Sequence, residues 1–584
     1  MTETVTETRR EGRDWLPWAI LALLALVLVG LVILKGEKDV LAERTKSSGL
    51  PLTAEQKSVT FDTADLSFEI LPSKKAIDAV AKLGFTVNNP IDKLQVDLDP
   101  RYKISSVKVD GAELDKGKWA NDGGLLTVNL PSPKAAGSKL GIDIAYAGKP
   151  HVAERAPWDG GFVWSQTKDG QPWVASAVEG EGCDIFWPCF DNATIEVAQV
   201  TQHITVPKGL VAASNGRLVG TSQLDDGRMR YDWVAHYPNN YAIAINVAPY
   251  KVAKTIHQSR FGNSYPIEFF YLPGEEKEAQ ALLKEMEQTV DFYEAKIGPY
   301  PFGSEKVGVV ETPHLGMEHQ TINAYGNKYK PAPYGYDWLF NHEFAHEWFG
   351  NQLTNRDWDD MWLHEGFGSY MQPLTVQFMR GDMAYDASLF EQRQRILNKH
   401  PVVWGRSRLE HEVYDDDKGS GIDIYMKGSW ILHTLRGMMG DDAFFRSVRR
   451  LVYGRPDPMP GNFKPRFGTT DEFQQIVSQE AGRDMKWFFD VYLRQAALPR
   501  LVETRTGNRV DLQWKTPKGL PFPMPVEVAV DGVRQTVPMT GGRGSITLPS
   551  DKSLVTLDPG TKILRQSDEM DRYRDWLKEH PGQK

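Results

Sequence analysis

The chain has 584 residues, 41% of them hydrophobic and 25% charged, with a formal net charge of −9 and two cysteines. That length predicts three or four domains. The acidic balance speaks against nucleic-acid binding, and two cysteines exclude a disulfide framework.

In chain order, a tail over 1–14 carries Arg9, Arg10 and Arg13, and Trp15 to Leu34 is an apolar run with no charge. Twenty residues at about 1.5 Å each cover a bilayer core of about 30 Å, so 15–35 is predicted as one transmembrane helix. A cleaved signal peptide fits less well, because Lys35-Gly36-Glu37-Lys38-Asp39 follows the run where a small-residue cleavage site would stand. Lys35, Lys38, Arg44 and Lys46 balance the arginines before the run. The positive-inside rule therefore gives little contrast, and the preferred topology keeps the short tail inside with the body exported to the periplasmic or extracellular side. Residues 36–56 read as a polar linker.

From 57 to 255, alternating segments such as Gln95-Val96-Asp97-Leu98, Leu126-Thr127-Val128-Asn129-Leu130 and Ile142-Asp143-Ile144-Ala145-Tyr146 stand between Gly, Pro, Asn and Asp clusters. This predicts an antiparallel β domain. Helical spacing takes over with Ala279, Leu282, Met286, Val290 and Tyr293 and dominates 256–500. Within it lies His342-Glu343-Phe344-Ala345-His346, followed after eighteen residues by Glu365. Two histidines four apart on a helix share one face, close enough for both imidazoles to reach one Zn²⁺. A catalytic zinc needs a third protein ligand and an open position for water, and Glu365, in the first turns of a helix starting near Met361, is predicted to supply the ligand. The ligand helix itself is predicted over Tyr336 to Asn351. Glu343, beside a ligand without being one, is placed to take a proton from the attacking water and pass it to the leaving group. One zinc per chain is expected.

Asp415-Asp416-Asp417 reads as a solvated loop and lacks the spacing of a calcium loop. Residues 501–566 return to short strand patterns with turns at Pro517-Lys518-Gly519, Asp531-Gly532 and Gly541-Gly542, enough for one small β-sandwich. The last segment, 567–584, reads as a charged surface helix and tail. No internal repeat, phosphate-cradling glycine loop or basic patch with interleaved aromatics occurs.

The segments His342-Glu343-Phe344-Ala345-His346-Glu347-Trp348-Phe349-Gly350-Asn351 and Asp360-Met361-Trp362-Leu363-His364-Glu365-Gly366-Phe367 resemble the aminopeptidase N family of gluzincin zinc metallopeptidases. Ile297-Gly298-Pro299-Tyr300-Pro301-Phe302, Gly316-Met317-Glu318 and Tyr425-Met426-Lys427-Gly428 agree with it, so the likeness spans roughly residues 60 to 500. It implies a multidomain α+β chain: an N-terminal β domain, a thermolysin-like, mostly α catalytic domain and the small β-sandwich. It also implies that Tyr425 donates a hydrogen bond to the tetrahedral intermediate, as a neutral phenol can. Gly316, Met317 and Glu318 stand where the family has its exopeptidase motif. A pair of carboxylates binding the α-amine is the simplest way to count from a free N-terminus. Glu318 is one. The other comes from Ser176 to Asp191, where alignment on Pro188-Cys189 gives Glu179, or Glu181 if the register slips by two.

Departures from the family pattern fall on the substrate-facing wall: Leu315, His319, Ala177 and His364. They leave the zinc chemistry intact and keep open an endopeptidase or a hydrolase of a non-peptide substrate. A catalytically silent membrane scaffold is the reading from another class. His319 and His364 are read as hydrogen-bond partners of the metal site before ligands. Cys183 and Cys189 leave open a bridge in an exported body, but the reduced, buried pair is favoured because relatives carry a core cysteine at the position of Cys189 without that partner. Many relatives continue into a large helical domain over the active site. This chain stops earlier, so an open cleft or one closed by a second copy in a homo-oligomer is expected. The expected partners are thus peptides with a free N-terminus and the membrane.

Overall fold

A computed structural model describes residues 41–46, 48–461 and 463–580. The apolar run Trp15–Leu34 lies outside the described residues, and among them no helix is long and apolar enough to cross a membrane.

The β domain is built on an eight-stranded sheet. Its middle is the hairpin of strands Val59–Leu71 and Ala76–Val87, whose alternation buries Phe61, Leu66, Phe68 and Ile70 from the first strand and Ile77, Leu83 and Phe85 from the second. Period-2 patterning turns one face of each strand to the core. The domain is not wholly antiparallel as the alternation suggested, because Val59–Leu71 also pairs in parallel with Gln199–Val206, which returns after a long excursion through two smaller sheets. One of these, four-stranded, contains Pro172–Ala177 and delivers the chain directly to Glu179.

Two expectations about this half are corrected. The stretch read as a polar linker to residue 56 is packed from Ala42 onward: Thr45 and Ser48 are buried, Arg44 pairs with Asp97, and Thr53 caps the one-turn helix Ala54–Lys57. The cysteines, read as reduced, form a disulfide between Cys183 and Cys189. The tight turn Cys183–Ile185 and the backbone pairing of Cys189 with Asp97 fold the segment back until the two Cα atoms stand 6.3 Å apart, within bridging range.

A five-stranded sheet opens the mostly helical half, in the order Lys251–Gln258, Ser264–Tyr271, Val307–Glu311, Asn323–Tyr325, Gly316–Met317. The boundary expected at 255 therefore cuts a strand: Lys251–Gln258 pairs with Ser264–Tyr271 throughout and belongs to this sheet. The sheet packs on helices Glu276–Lys296 and Trp338–Ala345, with Tyr293, Tyr300, Phe344 and Trp348 stacked in their shared core. Helices Trp362–Arg380 and Met426–Met439 cross where Gly366 faces Gly428, so closely that a Cβ on Gly428 would lie 2.9 Å from the Gly366 Cα.

The C-terminal part forms two three-stranded sheets. Arg500–Thr506, Arg509–Lys515 and Arg543–Thr547 make one; Val533–Val537, Val526–Val530 and Val555–Leu557 make the other. Its core is continuous with that of the helical half through Trp487, Tyr492 and Phe522. A terminal helix, Asp568–Glu579, is held by Arg574, which donates to the carbonyls of Arg393 and Ile396.

Candidate metal centre

The helix carrying His342 stops sooner than its apolar spacing predicts. It runs Trp338–Ala345, with Asp337 capping Phe340 N–H, and then widens into a turn over Glu347–Gln352 in which Asn351 N–H reaches back to the His346 carbonyl at 2.8 Å. This turn brings the Phe349 carbonyl to His346 Nδ1 at 3.0 Å. A carbonyl only accepts, so Nδ1 carries the proton and the Nε2 lone pair faces the site.

His342 Nε2 and His346 Nε2 lie 3.2 and 3.6 Å from Glu365 Oε2 and 3.4 Å from each other. Zinc bonds of about 2.0–2.1 Å in tetrahedral geometry set donor atoms about 3.3 Å apart. The three atoms therefore already have the spacing a single zinc requires. Glu365 Oε2 is buried and receives no well-formed hydrogen bond, while Oε1 accepts from the hydroxyls of Tyr425 at 2.9 Å and Tyr414 at 3.2 Å. One carboxylate oxygen is thus committed to phenols and the other left for a cation. Gly368, on the helix of Glu365, makes room for both imidazoles: a Cβ there would stand 3.2 to 3.3 Å from His346 Cε1 and Nε2 and His342 Cε1.

Glu343, 7% exposed, lies beside this triad against the edge strand Gly316–Met317. A Cβ on Gly316 would collide with its carboxylate, so glycine here lets the strand pass without displacing Glu343. Tyr425 stands at the start of helix Met426–Met439, its ring 6.0 Å from that of His342.

Glu318 follows the edge strand directly; it is buried, and its Oε1 accepts from Tyr241 Oη at 3.2 Å. Of the two candidate glutamates in the β domain, Glu179 faces the centre: burial raises its carboxyl well above the ordinary range, followed by repulsion from Glu318, Glu365, Glu410 and Glu343. Glu181 points elsewhere, accepting from Gly160 N–H. Ala177 and Met317 pack with Tyr241 beneath this wall. His364 accepts from Asn355 N–H through Nε2 at 3.1 Å. It also forms, with Glu318 and His346, a second set of potential donor atoms within 4.8 Å of one another. His346 has only Nε2 to give, so the sets compete for it, and the tighter triad with Glu365 is the better cage. His319 is wholly buried, pushed down to about 3 by burial and the neighbouring His314, and lies outside both sets. The aspartates 415–417 cap turns: Asp415 accepts from the amides of Asp417 and Lys418, and Asp416 from that of Ile422, just before Tyr425.

Four carboxylates converge: Glu318, Glu343 and Glu365 are buried and Glu179 is half-buried. Burial and then Glu318 and Glu365 raise Glu343 well above the usual range, and burial raises Glu318. Burial also acts to raise Glu365, but the imidazoles of His342 and His346 facing it and the Tyr425 hydroxyl hold it down to about 2. Such a concentration of like charge is costly in a dry pocket unless cations share it. Tyr241 and Tyr414 are the site residues that sequence reasoning missed. No spacing connects Tyr241 to Glu318, and only the adjacent acidic run drew attention to the region of Tyr414.

Comparison with known proteins points the same way. The Peptidase M1 N-terminal domain matches residues 60–239, and the Peptidase family M1 domain matches residues 336–492. Probable aminopeptidase 1 of Saccharolobus solfataricus is 22% identical over 508 residues, covering 82% of this chain and 59% of that protein. Endoplasmic reticulum aminopeptidase 1 of Mus musculus is 24% identical over 341 residues, 54% of this chain and 35% of that protein. The chain thus spans 59% and 35% of the length of these two curated relatives. Among solved structures, an M1 zinc metallopeptidase from Deinococcus radiodurans has 23% identity and a TM-score of 0.64 over 78% of this chain and 98% of that one. A point variant of the same enzyme, bound to a Tyr-Ser-Ala substrate, gives 0.63 at 21% identity. These likenesses show the fold.

Proposed function

The chain belongs to the peptidase M1 family, and from that premise we propose that it is a zinc aminopeptidase releasing N-terminal residues from peptides. The observation that carries the reading is the triad of donor atoms 3.2 to 3.6 Å apart, with Glu343 beside it and two further carboxylates, Glu318 and Glu179, on one wall.

Zinc held by His342, His346 and Glu365 would supply an activated water and polarise the scissile carbonyl. Glu343 takes a proton from the attacking water and delivers it to the departing amine; its raised proton affinity in this pocket suits the second half of that task. Tyr425 stays a neutral phenol, because burial and the facing carboxylates raise it well above its ordinary range. It can therefore turn its proton from Glu365 toward the developing oxyanion. Glu318 and Glu179 hold the substrate's α-ammonium, and a zinc with one ammonium offsets most of the charge of the four carboxylates. An internal peptide segment brings no such cation, which favours the aminopeptidase over the endopeptidase.

We place the enzyme at a membrane, anchored through Trp15–Leu34 with the body exported. The Cys183–Cys189 disulfide supports this side, since such bridges persist in oxidising compartments. The test is release of the first residue from a short peptide, abolished by a chelator and restored by zinc. Persistence of activity after the metal has been removed would overturn the proposal.

A further inference from the structure

The residues that lead into the β domain lie against the proposed amine-binding wall. Arg44 pairs with Asp97, a buried carboxylate that also accepts from Gln56 Nε2 at 2.7 Å and Asp191 N–H at 3.1 Å. Ser48 N–H donates to the Gly180 carbonyl at 2.9 Å, one residue past Glu179, and its hydroxyl donates to Asp191 Oδ1 at 3.0 Å. Asn192 Nδ2 reaches the Leu50 carbonyl. Gly49 adopts φ 89° and lies so close to Trp358 that a Cβ would stand 2.5 Å from the indole Nε1 and 2.9 Å from Cδ1. Trp358 opens the turn Trp358–Asp360 ahead of the helix bearing Glu365. Ser48, Glu179, Tyr241, Trp358, Met361 and His364 line one small cavity.

We infer that residues 44–46 and 48–50 form a strap that positions Glu179: Ser48 ties down the Glu179-Gly180 backbone while Gly49 seats the strap on Trp358, so the strap sets how tightly a peptide's free amine is held. The inference rests on the amine-binding role proposed for Glu179. Its physical need is plain, because the loop it braces contains Gly180 and Gly182, the latter at φ 113°, and is closed by one main-chain bond, Gly182 N–H to the Val178 carbonyl. Glycines leave such a loop many conformations, and a carboxylate gripping an ammonium must be held in one.

The test uses the full chain with zinc bound and the substitution Gly49→Ala, which drives a methyl into the indole at a backbone angle alanine adopts with strain. Ser48→Ala is the milder companion. Hydrogen exchange in a fragment covering 178–183 should quicken in both variants. For a peptide with a free N-terminus, KM should rise about tenfold in Gly49→Ala, the scale of one weakened charge-assisted hydrogen bond, with kcat within about twofold and zinc content unchanged. Combined with Glu179→Gln, the same substitution should add nothing further to KM. Unchanged exchange at 178–183 in both variants would overturn the inference, as would a KM effect that persists in full without the Glu179 charge. If the unaltered enzyme shows no preference for a free amine, the proposed function fails, and the exchange measurement alone then decides whether the strap braces the loop.

Discussion

Gly316→Ala tests the placement of Glu343 without touching a metal ligand. The added Cβ would stand 2.8 Å from Glu343 Cδ and 2.6 Å from Leu339 Cδ1. Carbon atoms rest about 3.5–4.0 Å apart, so something must give by about 1 Å. Leu339 is packed in the core and 1% exposed, whereas the Glu343 carboxylate borders the site, so the carboxylate moves. A displacement of that size in a reacting group costs about 100-fold in rate, or about 2.7 kcal/mol of transition-state stabilisation. The expected result is kcat lowered about 100-fold, zinc content of one per chain retained, and thermal stability reduced by about 1–3 kcal/mol from overpacking. Steady-state kinetics with metal analysis on the same preparation decides it. A kcat within threefold of the unaltered enzyme would refute the placement of Glu343 as the proton-transfer group, and loss of zinc in parallel with kcat would show that the strand supports the metal instead.

Tyr425→Phe removes the phenol donor and should lower kcat by about 10²–10³ with little change in KM; a pure KM effect would assign Tyr425 to ground-state binding. Reducing the Cys183–Cys189 bridge, which closes a loop with a sequence separation of 6, should cost about 2 kcal/mol of stability, read as a lower midpoint in urea with reductant. An unchanged midpoint would mean that the loop is held by its other contacts. The metal-free protein should lose stability as pH rises from 6.5 to 8. Burial raises Glu179 and Glu343 well above their ordinary 4.5, and Glu181 and Glu410 to about 7. A carboxyl raised in the folded state contributes stability below its unfolded pKa and loses it as pH climbs through the folded value. The buried histidines pushed down to about 3 or 4 act the opposite way, because their unfolded imidazoles still shed protons just above 6.5, but that gain is confined to the foot of the window and is smaller than the carboxyl loss. Zinc should flatten the decline by favouring the charged carboxylates nearest it, and thermal melts with and without chelator that run parallel would contradict this.

Local chemistry made much of the site readable. His342, Glu343 and His346 lie within five residues, and helical spacing alone puts the histidines on one face. The position of Glu365 needed only a second helix. What the sequence could not carry was the geometry of approach. The wide turn after Ala345 is set by packing around Trp348 and by the Phe349 carbonyl meeting His346. The hairpin strand Lys251–Gln258 alternates like those before it, and only its partner Ser264–Tyr271 reveals which sheet it joins. Polar composition made 42–56 look like a linker, yet Arg44 and Ser48 are satisfied by buried aspartates 53 and 143 residues away. Tyr241 reaches Glu318 from another domain for the same reason. The choice between Glu179 and Glu181, one register slip apart in an alignment, needed the direction of each side chain.

The central claim is that this centre counts from a free amine and cleaves beside it. The most direct measurement compares one peptide with its N-acetylated twin on the zinc-loaded protein, with Glu343→Gln as the blank. Rapid release of the first residue from the free peptide alone, absent in the blank, is the predicted result. Equal cleavage of both peptides would contradict it by showing that Glu318 and Glu179 do not gate on the amine.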